Sequence, residues 1–136
     1  MSSASQIACA ARDHAAAGRS LPVSREALDR ASDLFRAMGD TARLRLLALL
    51  SQGPACVSEL AAIEGESVST ISQRLRVLRS ERLVTRRRDG KHINYALADQ
   101  HVLDLVFSAM AHASESPAQT PGPESSQTKE SNHDPA

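Results

Sequence analysis

Aromatic residues are nearly missing from this chain: Phe35, Tyr95 and Phe107 are all it has, and there is no tryptophan. Its core must therefore be built from leucine, valine, isoleucine and alanine, and the abundance of leucine and alanine favours helices. Cysteine is scarce too. Cys9 and Cys56 are too few to staple a small secreted domain, and a reducing cytoplasm fits best. No run of about 20 apolar residues is present, as a membrane-crossing helix requires. No long apolar stretch follows a basic start, as a signal peptide requires. Net charge is lacking as well. With 16 basic and 16 acidic residues the formal balance is +0, so composition alone does not announce a nucleic-acid partner. A length of 136 residues is that of one domain with tails.

Shifts in composition mark the ends. Residues 1–22 are rich in alanine and serine and close on "SLP", which reads as a flexible N-terminal arm. From Ser116 to Ala136 the chain is proline, serine, glutamine and glutamate with no large apolar residue. Such a segment cannot bury enough surface to offset its ordering entropy, and it is expected to be disordered. The domain is then residues 23–115.

Within it the hydrophobic period changes along the chain. "SREALDRASDLFRAMG" carries Leu28, Ala31, Leu34, Phe35 and Met38 at helical spacing, with Ser24 as N-cap and Gly39 as stop. Asp40 or Thr41 caps "ARLRLLALLSQG", which ends at Gly53-Pro54. "CVSELAAIEG" is a short third helix stopping at Gly65, and "SVSTISQRLRVLRSERL" a fourth, with Ser67 or Ser69 as cap. The period then falls to two. "LVTRRR", a turn at Asp89-Gly90, and "KHINYAL" read as a β-hairpin. A last helix, "DQHVLDLVFSAMAHASE", places Val102, Leu103, Val106, Phe107, Met110 and Ala113 on a core-facing stripe. Helices, a hairpin, then a helix is the order of a winged helix-turn-helix, a mainly α fold.

Local charge is far from neutral. Between Thr70 and His92 stand Arg74, Arg76, Arg79, Arg82, Arg86, Arg87, Arg88 and Lys91, against only Glu81 and Asp89. Basic side chains that displace counterions from duplex DNA supply the sequence-independent part of binding. In a helix-turn-helix the second helix offers its N-terminal residues to base edges. Here those are Ser69, Thr70, Ser72, Gln73 and Arg76, with Arg74 in the same basic run. Glutamine suits adenine and arginine suits guanine. Arg86, Arg87, Arg88 and Lys91, on the hairpin, suit phosphates or the minor groove. A basic run is more often a solvated face, but this one coincides with two helices and a hairpin.

These residues are similar to the ArsR/SmtB family of metal-sensing bacterial repressors. The resemblance is carried by "MGDTARLRLLALL" (the family usually has proline after the aspartate), "CVSELA", "VSTISQRLRVLRSERLV" and "RRRDGKHINYAL". It runs without apparent gaps from about Ser32 to Glu115, roughly 60% of the chain. It implies a homodimeric winged-helix protein that holds operator DNA when metal-free and is released when an ion or ligand binds. One subgroup senses zinc through an Asp-x-His…His-x-x-Glu/His pattern, and Asp99, His101, His112 and Glu115 match it position for position.

Helix geometry shows what such a pattern requires. His101, Leu105, Ser108, His112 and Glu115 follow one line on the last helix. His101 and His112 are separated by about 16 Å along the axis and only about 20° around it. One helix cannot bring both to an ion whose nitrogen ligands lie about 2 Å away. An antiparallel copy can, pairing Asp99 and His101 of one chain with His112 and Glu115 of the other and producing two equal sites. Two imidazoles and two carboxylates suit Zn²⁺, with Co²⁺ or Cd²⁺ as further candidates, and the absence of thiolates argues against Cu(I) or arsenite. The plainer alternatives are that Asp99 is a helix cap, Glu115 a solvated acid and the histidines interface packing.

The resemblance also implies a second site, where an N-terminal arm folds onto the third helix. Cys9, His14, Cys56 and Glu59 are its counterparts here. Thiophilic relatives carry Cys-Val-Cys where this chain has Cys56-Val57-Ser58, so one thiolate is missing. Cys56 could equally be a small apolar residue. His92 is assigned to DNA or solvent, and His133 gets no role. Two other functions compete with a metal-responsive repressor. One is a repressor of the same fold that senses redox state through Cys9 and Cys56. The other is a small zinc hydrolase on His101 and His112, which would need an open coordination position and a general base that the sequence does not offer.

Overall fold

The computed structural model describes residues 18–115. Cys9, His14, most of the N-terminal arm, and the whole of residues 116–136 with His133 lie outside the described residues. Helix α1, Arg25–Met38, starts where Ser24 Oγ accepts from the Ala27 amide at 3.1 Å. Its end is closed by the next helix. Asp40 caps α2, Thr41–Leu50, by accepting from the Arg43 amide at 3.0 Å. The Arg43 side chain reaches back and donates to the Ala37 carbonyl at 2.8 Å, which satisfies an acceptor that the helix end leaves free.

A two-residue strand, β1 (Ala55–Cys56), precedes helix α3, Val57–Glu64. The sequence pattern alone starts α3 at Cys56 and shows no strand there, since two residues are too few to display a period. What creates β1 is the free edge of the hairpin, against which Ala55 and Cys56 pair with Tyr95 and Asn94. Gly65 then turns the chain with φ +65°, a left-handed conformation that glycine adopts without a Cβ penalty. Of the two serines offered as caps, Ser67 begins α4, Val68–Ser80.

Strands β2 (Val84–Asp89) and β3 (His92–Leu97) pair antiparallel from Val84 opposite Leu97 to Asp89 opposite His92. The sheet order is β1-β3-β2. The hairpin loop is therefore Gly90-Lys91, one residue later than expected. Gly90 at φ +59° takes the first loop position, where a type II′ turn needs positive φ. Helix α5, Gln100–Ser114, follows, capped by Asp99.

The core is aliphatic. Leu46 and Leu47 of α2, Leu60 of α3, and Ile71, Leu75 and Leu78 of α4 are fully buried with Leu83 and Val106. A bidentate pair from Arg45 to Glu64, at 2.8 and 3.2 Å, ties α2 to the end of α3. Glu64 is only 6% exposed, and its hydrogen bonds, then its charge, raise the Arg45 pKa above its ordinary value.

Two apolar stripes do not behave as core faces along their length. On α5, Val102 and Val106 are buried, whereas Phe107 and Met110 are exposed and Ala113 lies on the surface. On α1, Met38 is buried but Leu28 and Phe35 are exposed. Each helix outruns the domain it packs on. Periodicity reports a face; it does not report how far the neighbours extend.

Arg82, just past the end of α4, has φ +58° and is the one non-glycine residue in the left-handed region among the described residues. The hydrogen bond from the Leu83 amide to the Leu78 carbonyl, 2.9 Å, holds it there. For an L-residue this conformation costs about 1–2 kcal/mol. Arg82→Gly is expected to keep or raise stability, by up to about 1 kcal/mol, because glycine removes that strain but adds chain entropy. Leu75→Ala should cost about 2–5 kcal/mol. Urea denaturation of the two variants checks both expectations.

Candidate functional site

The sequence-selected residues fall into two separate regions. The first is α4 with the hairpin. Along α4 the buried residues Ile71, Leu75 and Leu78 fix the helix's rotation, and that turns Ser69, Gln73 and Arg76 outward. Thr70 is less free than expected, because its amide and hydroxyl are both engaged by Ser67 Oγ, at 3.1 and 2.9 Å. Arg74 turns toward the α3–α4 connection, where its Nη2 lies 3.5 Å from Glu66 Oε1. Ser72 lies on the opposite flank, toward the hairpin.

On β2, Arg86, Arg87 and Arg88 are all exposed, and strand alternation sends Arg87 to the opposite face from Arg86 and Arg88. Arg86 and Lys91 help line a concavity of about 460 Å³ between α4 and the hairpin. Arg76, Arg79 and His92 line it as well. In the sequence Arg79 is one of the basic run and has no role of its own. Its signal is nonetheless present there, since Arg76 and Arg79 are three apart and share a flank of α4. Cys56 also lines this concavity, half-buried, at the N-cap of α3 without a side-chain capping bond. Glu59 is exposed in the first turn of that helix.

The second region is α5. Asp99 is the helix cap, its Oδ1 accepting from the Val102 amide at 3.0 Å. The same oxygen is 3.6 Å from His101 Nδ1, and Oδ2 makes no hydrogen bond among the described residues. Three turns along, His112 Nδ1 lies 4.0 Å from Glu115 Oε2. The imidazoles are open to solvent, His101 at 96% and His112 at 89% of side-chain surface. Each end of the helix thus carries one imidazole with one carboxylate. Among the described residues no group of three His, Cys, Asp or Glu in a single chain converges as an ion would need.

Residues 40–86 match the family described as "Bacterial regulatory protein, arsR family". The chain is 44% identical over 85 residues to a transcriptional repressor SmtB homolog of Synechocystis, covering 62% of this chain and 64% of that protein. It is 36% identical over 94 residues to the transcriptional repressor SmtB of Mycobacterium tuberculosis, covering 69% of this chain and 70% of that protein. It therefore spans a little under two thirds of the first of these relatives. Its fold is similar to that of the homodimeric winged helix-turn-helix DNA-binding domain of Mb0332 from Mycobacterium bovis. The TM-score is 0.62 at 31% identity, over 70% of this chain and 90% of that one.

If the hairpin arginines meet phosphates, the triple change Arg86→Gln, Arg87→Gln and Arg88→Gln should weaken binding to every duplex. It should also flatten the dependence on salt by about 0.9 in logarithmic slope for each phosphate no longer neutralised. Gln73→Ala should instead change which sequences are preferred. Fluorescence anisotropy across a salt series reads both, and an unchanged slope in the triple variant removes the hairpin from the interface.

Proposed function

The chain belongs to the arsR family of bacterial regulatory proteins, a family of transcriptional regulators and not of enzymes, and within it we propose a zinc-responsive repressor. The metal-free homodimer holds operator DNA through Ser69, Gln73, Arg76 and the hairpin cations, and lets it go when metal binds. The observation that carries this reading is the pair of half-sets on α5. Asp99 with His101, and His112 with Glu115, are solvent-open and too far apart to serve one ion within a chain.

An antiparallel pairing of two α5 helices completes both sets. His101 and His112 are the nitrogen donors, and Asp99, through its second oxygen, and Glu115 are the oxygen donors. The set of two nitrogens and two oxygens favours Zn²⁺, with Co²⁺ and Cd²⁺ able to substitute. With four protein ligands there is no open position for catalysis. Phe107 and Met110 on α5, and Leu28 and Phe35 on α1, give the dimer apolar surface to bury. The M. bovis domain is homodimeric, which supports a dimer for this chain too.

Support for coupling comes from the surroundings of the first half-set. Asp99 and His101 line a concavity of about 560 Å³ together with Ser80, Glu81 and Arg82 at the end of α4. Cross-linking two α5 helices constrains the residues beside them, and with them the spacing of the two reading helices. Such coupling has a typical size of about 1–3 kcal/mol and is reciprocal, so DNA must weaken metal binding by the same factor. The arm site, with Cys56 and Glu59 on α3 and Cys9 and His14 outside the described residues, is secondary in this reading because its thiolate set is incomplete.

The test is DNA binding by the full chain, followed by anisotropy. Zinc should weaken binding by about 5- to 150-fold, and a chelator should restore it. His101→Gln and His112→Gln should each retain metal-free DNA binding and lose the zinc response. The double change Cys9→Ser and Cys56→Ser should retain both. A zinc response lost in the cysteine variant and kept in the histidine variants would move sensing to the arm site.

A further inference from the structure

The helix that precedes the reading helix is weakly packed at its C-terminal end. Helix α3 is only 8 residues long, too short to keep its shape in water without tertiary support. Leu60 and Ala61 anchor its middle in the core, whereas Ile63, near its end, is 55% exposed. The last residue does what apolar packing there does not. Glu64 reaches across to α2, and its two oxygens accept from Arg45 Nε and Nη2 at 2.8 and 3.2 Å.

This pair differs from the other ion pairs of the domain. Its geometry is bidentate, and a fork of two parallel hydrogen bonds fixes direction as well as distance. The exposures of the two side chains are also unequal, 63% for Arg45 and 6% for Glu64. A carboxylate at a helix C-terminus faces the negative end of the helix dipole, and this one is nearly out of reach of water. Among the described residues no other cation pairs with it. Arg74 and Glu66, on the far side of the turn, make a single contact at 3.5 Å with both side chains partly exposed, and pairs of that kind contribute little.

The position of Glu64 is passed on to α4. The Gly65 and Glu66 amides both donate to the Ala61 carbonyl, so the backbone itself closes the turn. Ser67 then caps α4 by accepting from the Thr70 amide. Gly65, Glu66 and Ser67 alone separate Glu64 from Val68, where α4 begins. The end of α3, the turn and the start of α4 thus form one stiff unit. Ile71, Leu75 and Leu78 bury one face of α4, but apolar burial is non-directional and tolerates a small tilt. The fork from Arg45 does not.

We infer that Arg45 and Glu64 are positioning residues for sequence reading: their pair fixes the end of α3 against α2 and, through the closed turn, the pose of α4 on DNA. Neither is among the side chains assigned to the duplex. The inference rests on the DNA-binding reading and adds to it a source of specificity that lies outside the contact face.

The test uses the full chain in chelator with two probes, a duplex that the wild-type protein selects from a random-sequence pool and a mixed-sequence duplex. Wild type, Glu64→Gln, Arg45→Gln and the double variant are compared by anisotropy well below their melting temperatures. A smaller folded fraction or a changed net charge alters both affinities by the same factor, whereas a displaced reading helix weakens the selected duplex more. Glu64→Gln is expected to lose about tenfold in preference for the selected duplex, the size of one lost base contact. Arg45→Gln should lose more, because it leaves a buried carboxylate without its counter-charge. Adding Glu64→Gln to it should bring the preference back to the level of Glu64→Gln alone.

Equal weakening on both duplexes would assign the pair to folding alone and overturn the inference. An unchanged preference in Glu64→Gln would overturn it too, and that variant decides the matter even if Arg45→Gln does not fold. A wild-type protein with no preference would overturn the DNA-binding reading, and the inference with it. That failure shows in the wild type, whereas failure of the inference alone shows only in the variants.

Discussion

A straight helix rises about 1.5 Å per residue, and on α5 that rise keeps Asp99 and His101 apart from His112 and Glu115 by three turns. Most of what is unusual about this domain follows from that separation. Both pairs lie on a face of α5 that the domain leaves open to solvent. Here the domain covers the start of the helix, where Val102 and Val106 are buried, and lets the rest project with Phe107 56% exposed. A second apolar surface is left open on α1, where Phe35 is 57% exposed. In the proposed assembly, one two-fold operation covers this apolar surface and brings the two half-sets on α5 together.

The same economy appears at the other end of the molecule. The fully buried leucines of α4 anchor it by one face, so its polar and basic residues are committed outward. The hairpin is held by β1 on one edge and bears its arginines on the other strand. Where α4 and the hairpin approach one another, cations accumulate without acids. These are the features on which the proposed partners rest: a second chain at α5 and duplex DNA at α4 and the hairpin.

Much of this is legible in the sequence. Helix starts are signalled by short polar residues, and Ser24, Asp40, Ser67 and Asp99 all prove to be caps, because capping is a local interaction. The pairing of β2 with β3 follows from the change of period, although the loop sits one residue later. What stays hidden is decided by tertiary neighbours. Strand β1 exists only because β3 has a free edge. Phe107 and Met110 look like core residues until the end of the domain is known. The contacts of Thr70 with Ser67 and of Arg74 with Glu66 are likewise not visible in the sequence. The line of Asp99, His101, His112 and Glu115 on α5 is legible in the sequence, and its division into two separated pairs needs only helix geometry.

The central claim is that each metal site is shared between two chains, and complementation tests it most directly. In a purified heterodimer of His101→Gln and His112→Gln chains, carrying different tags, one junction joins the two substituted positions and the other joins His101 of one chain to His112 of its partner. The account predicts that each variant homodimer lacks tight zinc binding, while the heterodimer binds one tight zinc and recovers part of the release from DNA. Absence of tight zinc in the heterodimer would contradict it, because ligands held within a single chain leave every site damaged.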